Sequence, residues 1–311
     1  MKAEHFYQRL DHGITVVDTG FVRPGFDASF LIVENGRAAF VEAGPNSAVP
    51  RLLATLAALG LGRDAVDYVI PTHVHLDHAG GVGLLMQELP GAKLLVHPRG
   101  ARHMIDPSGL MRGARAVFGI EETARDYGEL VPVPADRVIA TTDAMVIELA
   151  GRPLFFAHTP GHARHHHCIW DEASRGWFTG DTFGIVYPEL QPYIVPATAP
   201  VDFDPQALHE SVERMLARRP DFMYLTHYGA VRDPERRAVQ FLAQVDAMAA
   251  AARSLAGAPG RHEQLKRAFG DIYLGELRRS GSMQSEKFLR DILAIDIELN
   301  AQGLGTWLDR K

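Results

Sequence analysis

At 311 residues, with 46% hydrophobic and 23% charged residues, the chain can bury a large core and has the balance of an ordinary globular protein. Its formal net charge of −6 argues against nucleic acid as a partner, since phosphate contacts need a basic surface. No apolar run approaches the roughly 18 residues of a membrane span, residues 1–17 carry no export pattern, and a single cysteine, Cys168, leaves no intramolecular disulfide to form. A buried, inert thiol and a reducing cytoplasm are the expectations.

In chain order, residues 29–33 and 38–41 read as a β-hairpin across Asn35-Gly36. Residues 47–59 read as an amphipathic helix. Residues 66–70, Val-Asp-Tyr-Val-Ile, form a strand that Pro71 closes. Thr72-His73-Val74-His75-Leu76-Asp77-His78 follows, and a helix is expected near Ala79-Gly80-Gly81. In extended chain His73 and His75 point the same way, because side chains alternate with period two. A turn after His75 swings Asp77 and His78 toward a neighbouring point, so the spacing suits two adjacent metal ions. A short strand at 93–96 precedes an irregular stretch, 98–129, with short helices expected around 101–104 and 110–118. Residues 145–149, 154–157, 167–170 and 177–179 read as consecutive antiparallel strands. Residues 205–218 read as a helix with Asp204 as its N-cap and proline at its first position. Residues 222–225 read as a strand. Past Asp233 the pattern turns helical, at 234–255, 263–269 and 286–299. The mixture fits two sheets packed face to face with helices outside, a four-layer αββα sandwich of the α/β class.

Three further ligand candidates each come just past an apolar run: His162 in Thr-Pro-Gly-His, Asp181 in Thr-Gly-Asp-Thr and His227 in Thr-His-Tyr-Gly. Strand ends at one sheet edge are a usual place to build a site. With His73, His75, Asp77 and His78 they make an all-imidazole and carboxylate set, suited to zinc or iron, with manganese admitted by the carboxylates. His97, His103, His158 and His209 read as ordinary hydrogen-bonded histidines. His165-His166-His167 enters a strand and is not counted among the ligands. Tyr187, Tyr193 and Tyr228 are candidates for oxyanion contact or proton donation.

These motifs, in this order over about residues 25–230, resemble the metallo-β-lactamase superfamily and within it the glyoxalase II-like branch. A closer likeness is to a bacterial and archaeal subgroup that adds helices after the core. The resemblance implies the same αββα architecture, with residues 1–232 as the metallohydrolase domain and 233–311 as a helical extension packed on it. It implies His73, His75 and His162 on one metal ion, Asp77, His78 and His227 on a second, and Asp181 bridging them. The implied cofactors are two divalent ions, zinc first, with iron and manganese as alternatives. The implied activity is hydrolysis of an ester, thioester, lactone or related acyl compound of small size, by a hydroxide held at the metals, with Asp77 orienting the nucleophile. The rival reading is an iron-dependent persulfide dioxygenase using one iron on His73 or His75, His162 and Asp181. Exposed faces of the last helices leave a homodimer open. The sequence departs from the family at Glu42, where the family usually places Asp. Glu42 is expected to orient a ligand histidine through its free ring N–H. At the position where some family lactonases carry a tyrosine, this chain has Gly184.

Overall fold

The computed structural model describes residues 6–198 and 201–310. The first sheet runs β1 (Tyr7–Arg9), β2 (Ile14–Asp18), β3 (Ala28–Glu34), β4 (Arg37–Val41), β5 (Val66–Ile70), β6 (Lys93–Val96) and β7 (Val138–Ala140), in that spatial order. Its first four strands are antiparallel, and β4 to β7 are parallel. Helices α1 (Val49–Ala58), α2 (Leu76–Ala79), α3 (Val82–Glu88), α4 (Pro98–Ile105), α5 (Ser108–Phe118) and α6 (Ile120–Tyr127) are interspersed with them. The second sheet contains β8 (Val146–Leu149), β9 (Arg152–His158), β10 (His167–Asp171), β11 (Gly176–Gly180), β12 (Phe222–Leu225) and β13 (Gly229–Val231). Helix α7 (Pro205–Leu216) joins β11 to β12, which makes that pair parallel. The tail holds α8 (Pro234–Ser254), α9 (Arg261–Arg279), α10 (Glu286–Ile292) and α11 (Ala294–Asp309).

Alternation along the strands builds the layers. In β10 to β12, Ile169, Phe178 and Tyr224 point into the space between the sheets, while Cys168, Trp170, Trp177, Met223 and Leu225 point outward. Phe156, Ile169, Phe178 and Tyr224 are cross-strand neighbours in one row. Phe30 of the first sheet meets that row, with its ring 5.2 Å from Phe178 and 5.7 Å from Tyr224. On the outer face of the first sheet, Leu31, Phe40, Val69 and Leu94 pack under Leu52 and Leu56 of α1 and Leu85 of α3. The outer face of the second sheet is covered by Val212 and Met215 of α7 and by Phe241, Met248, Phe269 and Leu304 of the tail. The expected four-layer αββα arrangement is therefore present, with helices on both outer faces.

Strands β1, β2, β7 and β13 and helix α6 go beyond the elements expected from the sequence. Three of these strands have only three residues, too few to display a period of two. The last helices also run longer than expected. Helix α9 passes through Gly270 and Gly275, residues that weaken a helical reading, and α11 continues ten residues beyond 299, to Asp309. The caps behave as read: Asp204 accepts from the backbone N–H groups of Gln206 and Ala207 at the start of α7. Among the described residues no helix is long and apolar enough to cross a membrane.

Candidate metal centre

Strand direction explains why ligands far apart in sequence meet. β4 and β5 run parallel. β9 and β11 are both antiparallel to β10, so they run parallel to each other and to β12. Thr72 to His78 follow β5, His162 follows β9, Asp181 follows β11 and His227 follows β12. Two backbone hydrogen bonds join the sheets at this shared edge, from Ala28 N–H to Thr226 C=O (2.8 Å) and from His167 N–H to Thr72 C=O (2.9 Å). Gly180, with φ of +48°, lets the chain turn into Asp181 against this junction. A Cβ there would lie 2.2 Å from Thr72 Oγ1 and 2.6 Å from His166 Nε2.

All seven candidate ligands come together in two groups. His73, His75, His162 and Asp181 form one, and Asp77, His78 and His227 the other, with the donor atoms in each within 4.8 Å of one another. In the first group, His75 Nδ1 lies 2.8 Å from His73 Nε2 and 3.1 Å from His162 Nε2, and His162 Nε2 lies 3.2 Å from Asp181 Oδ2. In the second, Asp77 Oδ2 lies 3.6 Å from His78 Nε2 and 3.5 Å from His227 Nε2. Asp181 turns its other oxygen, Oδ1, to this group, 3.3 Å from His78 Nε2 and 3.7 Å from His227 Nε2. Donors bonded to one tetrahedral ion at roughly 2.0–2.2 Å stand about 3.3–3.6 Å apart; the second group is close to that spacing, and in the first His75 Nδ1 stands nearer its neighbours than the spacing asks. His78 Nε2 and Asp181 Oδ1 are buried and have no hydrogen-bond partner among the described residues. Such buried orphan atoms are costly unless an ion takes them. The donor set and its geometry fit metal ions.

Outer partners aim the rings. His162 Nδ1–H donates to Ala197 C=O (3.0 Å), and His227 Nδ1–H donates to Phe26 C=O (2.7 Å). His73 Nδ1–H donates to Thr72 Oγ1 (3.1 Å). Each of these bonds leaves Nε2 with its lone pair toward the centre. Glu42 follows β4 with φ of +66° and is buried. Its Oε1 accepts from His78 Nδ1 (3.1 Å), from Thr226 Oγ1 (3.2 Å) and from Thr72 Oγ1, while Oε2 accepts from Thr72 N–H (3.0 Å). It therefore sits behind His78, the place expected of a residue that orients a ligand.

The two groups differ electrostatically. Burial and the surrounding imidazoles hold His73 and His75 well below the usual histidine pKa, so both are neutral with lone pairs to offer. Burial also works against a charge on His78, yet Asp181, Asp77 and Glu42 hold its pKa well above the ordinary value. His227 is likewise opposed by burial but raised to about 9 by Asp77 and Asp181. These carboxylates concentrate negative charge on the second group, and a cation there takes the place of the protons they would otherwise attract.

The outer partners extend beyond those expected from the sequence. Thr72 and Thr226 each precede a ligand in a Thr-His pair, and both bond Glu42. That repeated pair is a readable signal, whereas the backbone carbonyls of Phe26 and Ala197 leave none. His166 is buried 4.8 Å from the His73 ring, with Thr159 and Thr182 around it, and lies outside both ligand groups. His167 bonds Thr141 and Pro71 C=O. His97 accepts from Arg99 N–H at the start of α4, and His209 pairs with Asp246. The tyrosines are otherwise engaged: Tyr187 donates to Asp296 (3.1 Å), Tyr193 donates to Gln244, and Tyr228 packs against the inter-sheet core. Cys168 is buried, and burial pushes its thiol up to about 12.

Comparison with known proteins agrees with this architecture. Metallo-β-lactamase fold-containing protein ST1585 of Sulfurisphaera tokodaii is 31% identical over 172 residues, or 54% of this chain and 62% of that protein. The atrochrysone carboxyl ACP thioesterase of Aspergillus fumigatus is 30% identical over 132 residues, or 42% of this chain and 31% of that enzyme. The matches thus span less than two thirds of either relative. The crystal structure of ST1585 from Sulfolobus tokodaii superposes with a TM-score of 0.65 at 23% identity, covering 95% of this chain and 99% of that one. The metallo-β-lactamase family protein TTHA1429 of Thermus thermophilus superposes with a TM-score of 0.65 at 24% identity, covering 86% and 94%. Residues 22–227, the stretch that carries every candidate ligand, match the family model for the metallo-β-lactamase superfamily, and the chain belongs to that superfamily.

Proposed function

We propose that this chain is a dinuclear metal hydrolase, zinc-dependent in its native form, that cleaves an ester, thioester or related acyl bond of a small substrate. The carrying observation is Asp181, which offers Oδ2 to one group of donors and Oδ1 to the other, so that one carboxylate serves two adjacent sites. His73, His75 and His162 would hold the first ion, Asp77, His78 and His227 the second, and Asp181 both. When bound, such ions supply Lewis-acid polarisation of a carbonyl and lower the pKa of water to roughly 7. Asp77 is the least buried of the seven besides His75, and it carries a carboxylate at the mouth of the centre. There it accepts a hydrogen bond from the attacking water and fixes its direction. The buried His73 remains a neutral donor, and His73 and His162 are both held by their outer partners. The thioesterase relative and the likeness to the glyoxalase II-like branch support acyl thioesters as the first substrate class.

Elemental mass spectrometry on protein purified without chelator is expected to find two zinc ions per chain. A panel of thioesters, esters and lactones is expected to reveal hydrolysis that Asp77→Asn lowers by about 10²-fold or more. Full activity in that variant rules out the role of Asp77. One iron per chain, with oxygen uptake on a persulfide, would replace the hydrolase by the dioxygenase reading.

A further inference from the structure

We propose that one face of α11 positions both ligand groups, through Asn300 for His162 and through Asp296 for His227, making the C-terminal helices part of the metal centre. The inference rests on the reading of these histidines as metal ligands.

Asp296, Asn300 and Gly303 are spaced i, i+4, i+7, so they share one face of α11. All three are buried. They press on the segment between β11 and α7. Asn300 Oδ1 accepts from Thr198 N–H (2.7 Å) and Thr198 Oγ1 (2.8 Å). Its Nδ2 donates to Pro196 C=O (2.8 Å) and to Tyr273 Oη (2.7 Å). The carboxamide is thus fully used, with no capacity left over. Thr198 N–H and Ala197 C=O belong to one planar peptide unit. Asn300 grips one end of that plane, and the other end receives the Nδ1–H of His162. The hold on Pro196 fixes the preceding peptide as well. Rotation of the Ala197 carbonyl away from His162 therefore requires breaking bonds to α11.

Gly303 permits the close approach. A Cβ at this position would lie 2.3 Å from Thr198 O and 2.7 Å from Thr198 Oγ1. One turn before Asn300, Asp296 accepts from Tyr187 Oη–H (3.1 Å). The Tyr187 ring stacks on Phe26 with centroids 5.5 Å apart, and Phe26 C=O holds His227 Nδ1–H. Val186, beside Tyr187, donates to His227 C=O and accepts from Tyr228 N–H (3.2 Å). The same helix face thus reaches one ligand of each group, His162 through the segment between β11 and α7 and His227 through that segment together with Phe26.

The test is stepwise zinc binding to the metal-free full-length protein, in competition with a chromophoric chelator, with His162→Ala and His227→Ala assigning the steps. Asn300→Leu is expected to weaken the step that His162→Ala removes by roughly tenfold or more, as loss of an outer partner does elsewhere. Leu304→Ala, a buried packing change on the same helix, controls for lost stability and is expected to leave both steps within about twofold. If Asn300→Leu does not fold, Gly303→Ala serves, because it pushes α11 off Thr198 without removing a polar group; the same step weakens. Unchanged zinc binding in Asn300→Leu, or an equal loss of both steps in Asn300→Leu and Leu304→Ala, overturns the inference and leaves the metal reading intact. No zinc binding by the wild type overturns both.

Discussion

Glu42 shows how much a single carboxylate organises at this centre. It receives hydrogen bonds from Thr72 N–H, Thr72 Oγ1, His78 Nδ1 and Thr226 Oγ1, all while buried. A carboxylate is acceptor-only, so it meets these donors from both oxygens. An amide cannot, because its NH2 must face either Thr72 N–H or the cluster of donors at the other oxygen. Glu42→Gln is therefore expected to loosen His78 and weaken metal retention by roughly 10–100-fold, measured by chelator competition. Metal affinity equal to wild type would show that Glu42 is structural only. The seven donors were legible in the sequence because each sits in a short motif past an apolar run. The residues that aim them were only partly so. Glu42 stood out through the resemblance, as a Glu where the family usually places Asp, but Phe26 and Ala197 act through backbone carbonyls, which every residue possesses.

At the scale of elements, a buried ion pair ties the second sheet together at the edge opposite the metal centre. Arg152 begins β9 and Asp171 ends β10, whereas the ligands follow the far end of β9. Arg152 Nε donates to Asp171 Oδ1 (2.8 Å) and Nη1 to His12 C=O (2.6 Å). Asp171 also accepts from Ser174 N–H (3.2 Å). Both side chains are almost wholly out of solvent. Asp171→Ala takes both carboxylate oxygens from Nε and Nη2 of a buried guanidinium, which keeps, among the described residues, only Glu34 (3.6 Å) and His12 C=O at Nη1, and is expected to cost about 3–5 kcal/mol, read from urea unfolding, with zinc content unchanged in the folded fraction. A loss under about 1 kcal/mol would mean that Glu34 or solvent satisfies Arg152 in the absence of Asp171. The strands flanking this pair were readable because their buried runs are long enough to show a pattern. The pair itself was not, since nothing in Arg152 or Asp171 alone announces that the two ends will be neighbours. Pairing is a property of register. The same limit hid β1, β7 and β13, each three residues long and held by its neighbours rather than by its own period.

Across the whole molecule, the helices after Asp233 complete a core rather than decorate one. The outer face of the second sheet presents Trp170, Trp177, Met223 and Leu225, and one continuous apolar cluster joins them to Phe241, Val245, Phe269 and Leu304 of the tail. Helix α7 alone covers only part of that face, where Trp177 Nε1–H donates to Met215 C=O. Burying each large apolar side chain is worth roughly 1.5–3 kcal/mol, so exposing several at once is comparable to the whole stability of a typical domain. A chain ending at Asp233 would also lose Asn300, Asp296 and Gln244, the partners of Thr198, Tyr187 and Tyr193. The shortened protein is therefore expected to lack a cooperative urea transition and the near-ultraviolet dichroism of packed Trp170 and Trp177. Retention of both, with a midpoint near that of the full chain, would show that residues 1–233 fold alone and that the tail is a separable addition. The expectation is specific to the second sheet, because the outer face of the first is covered by α1 and α3, which the truncation leaves in place. Dichroism that collapses for the tryptophans while apolar burial around Leu52 and Leu85 persists in hydrogen exchange is the pattern this arrangement of layers requires.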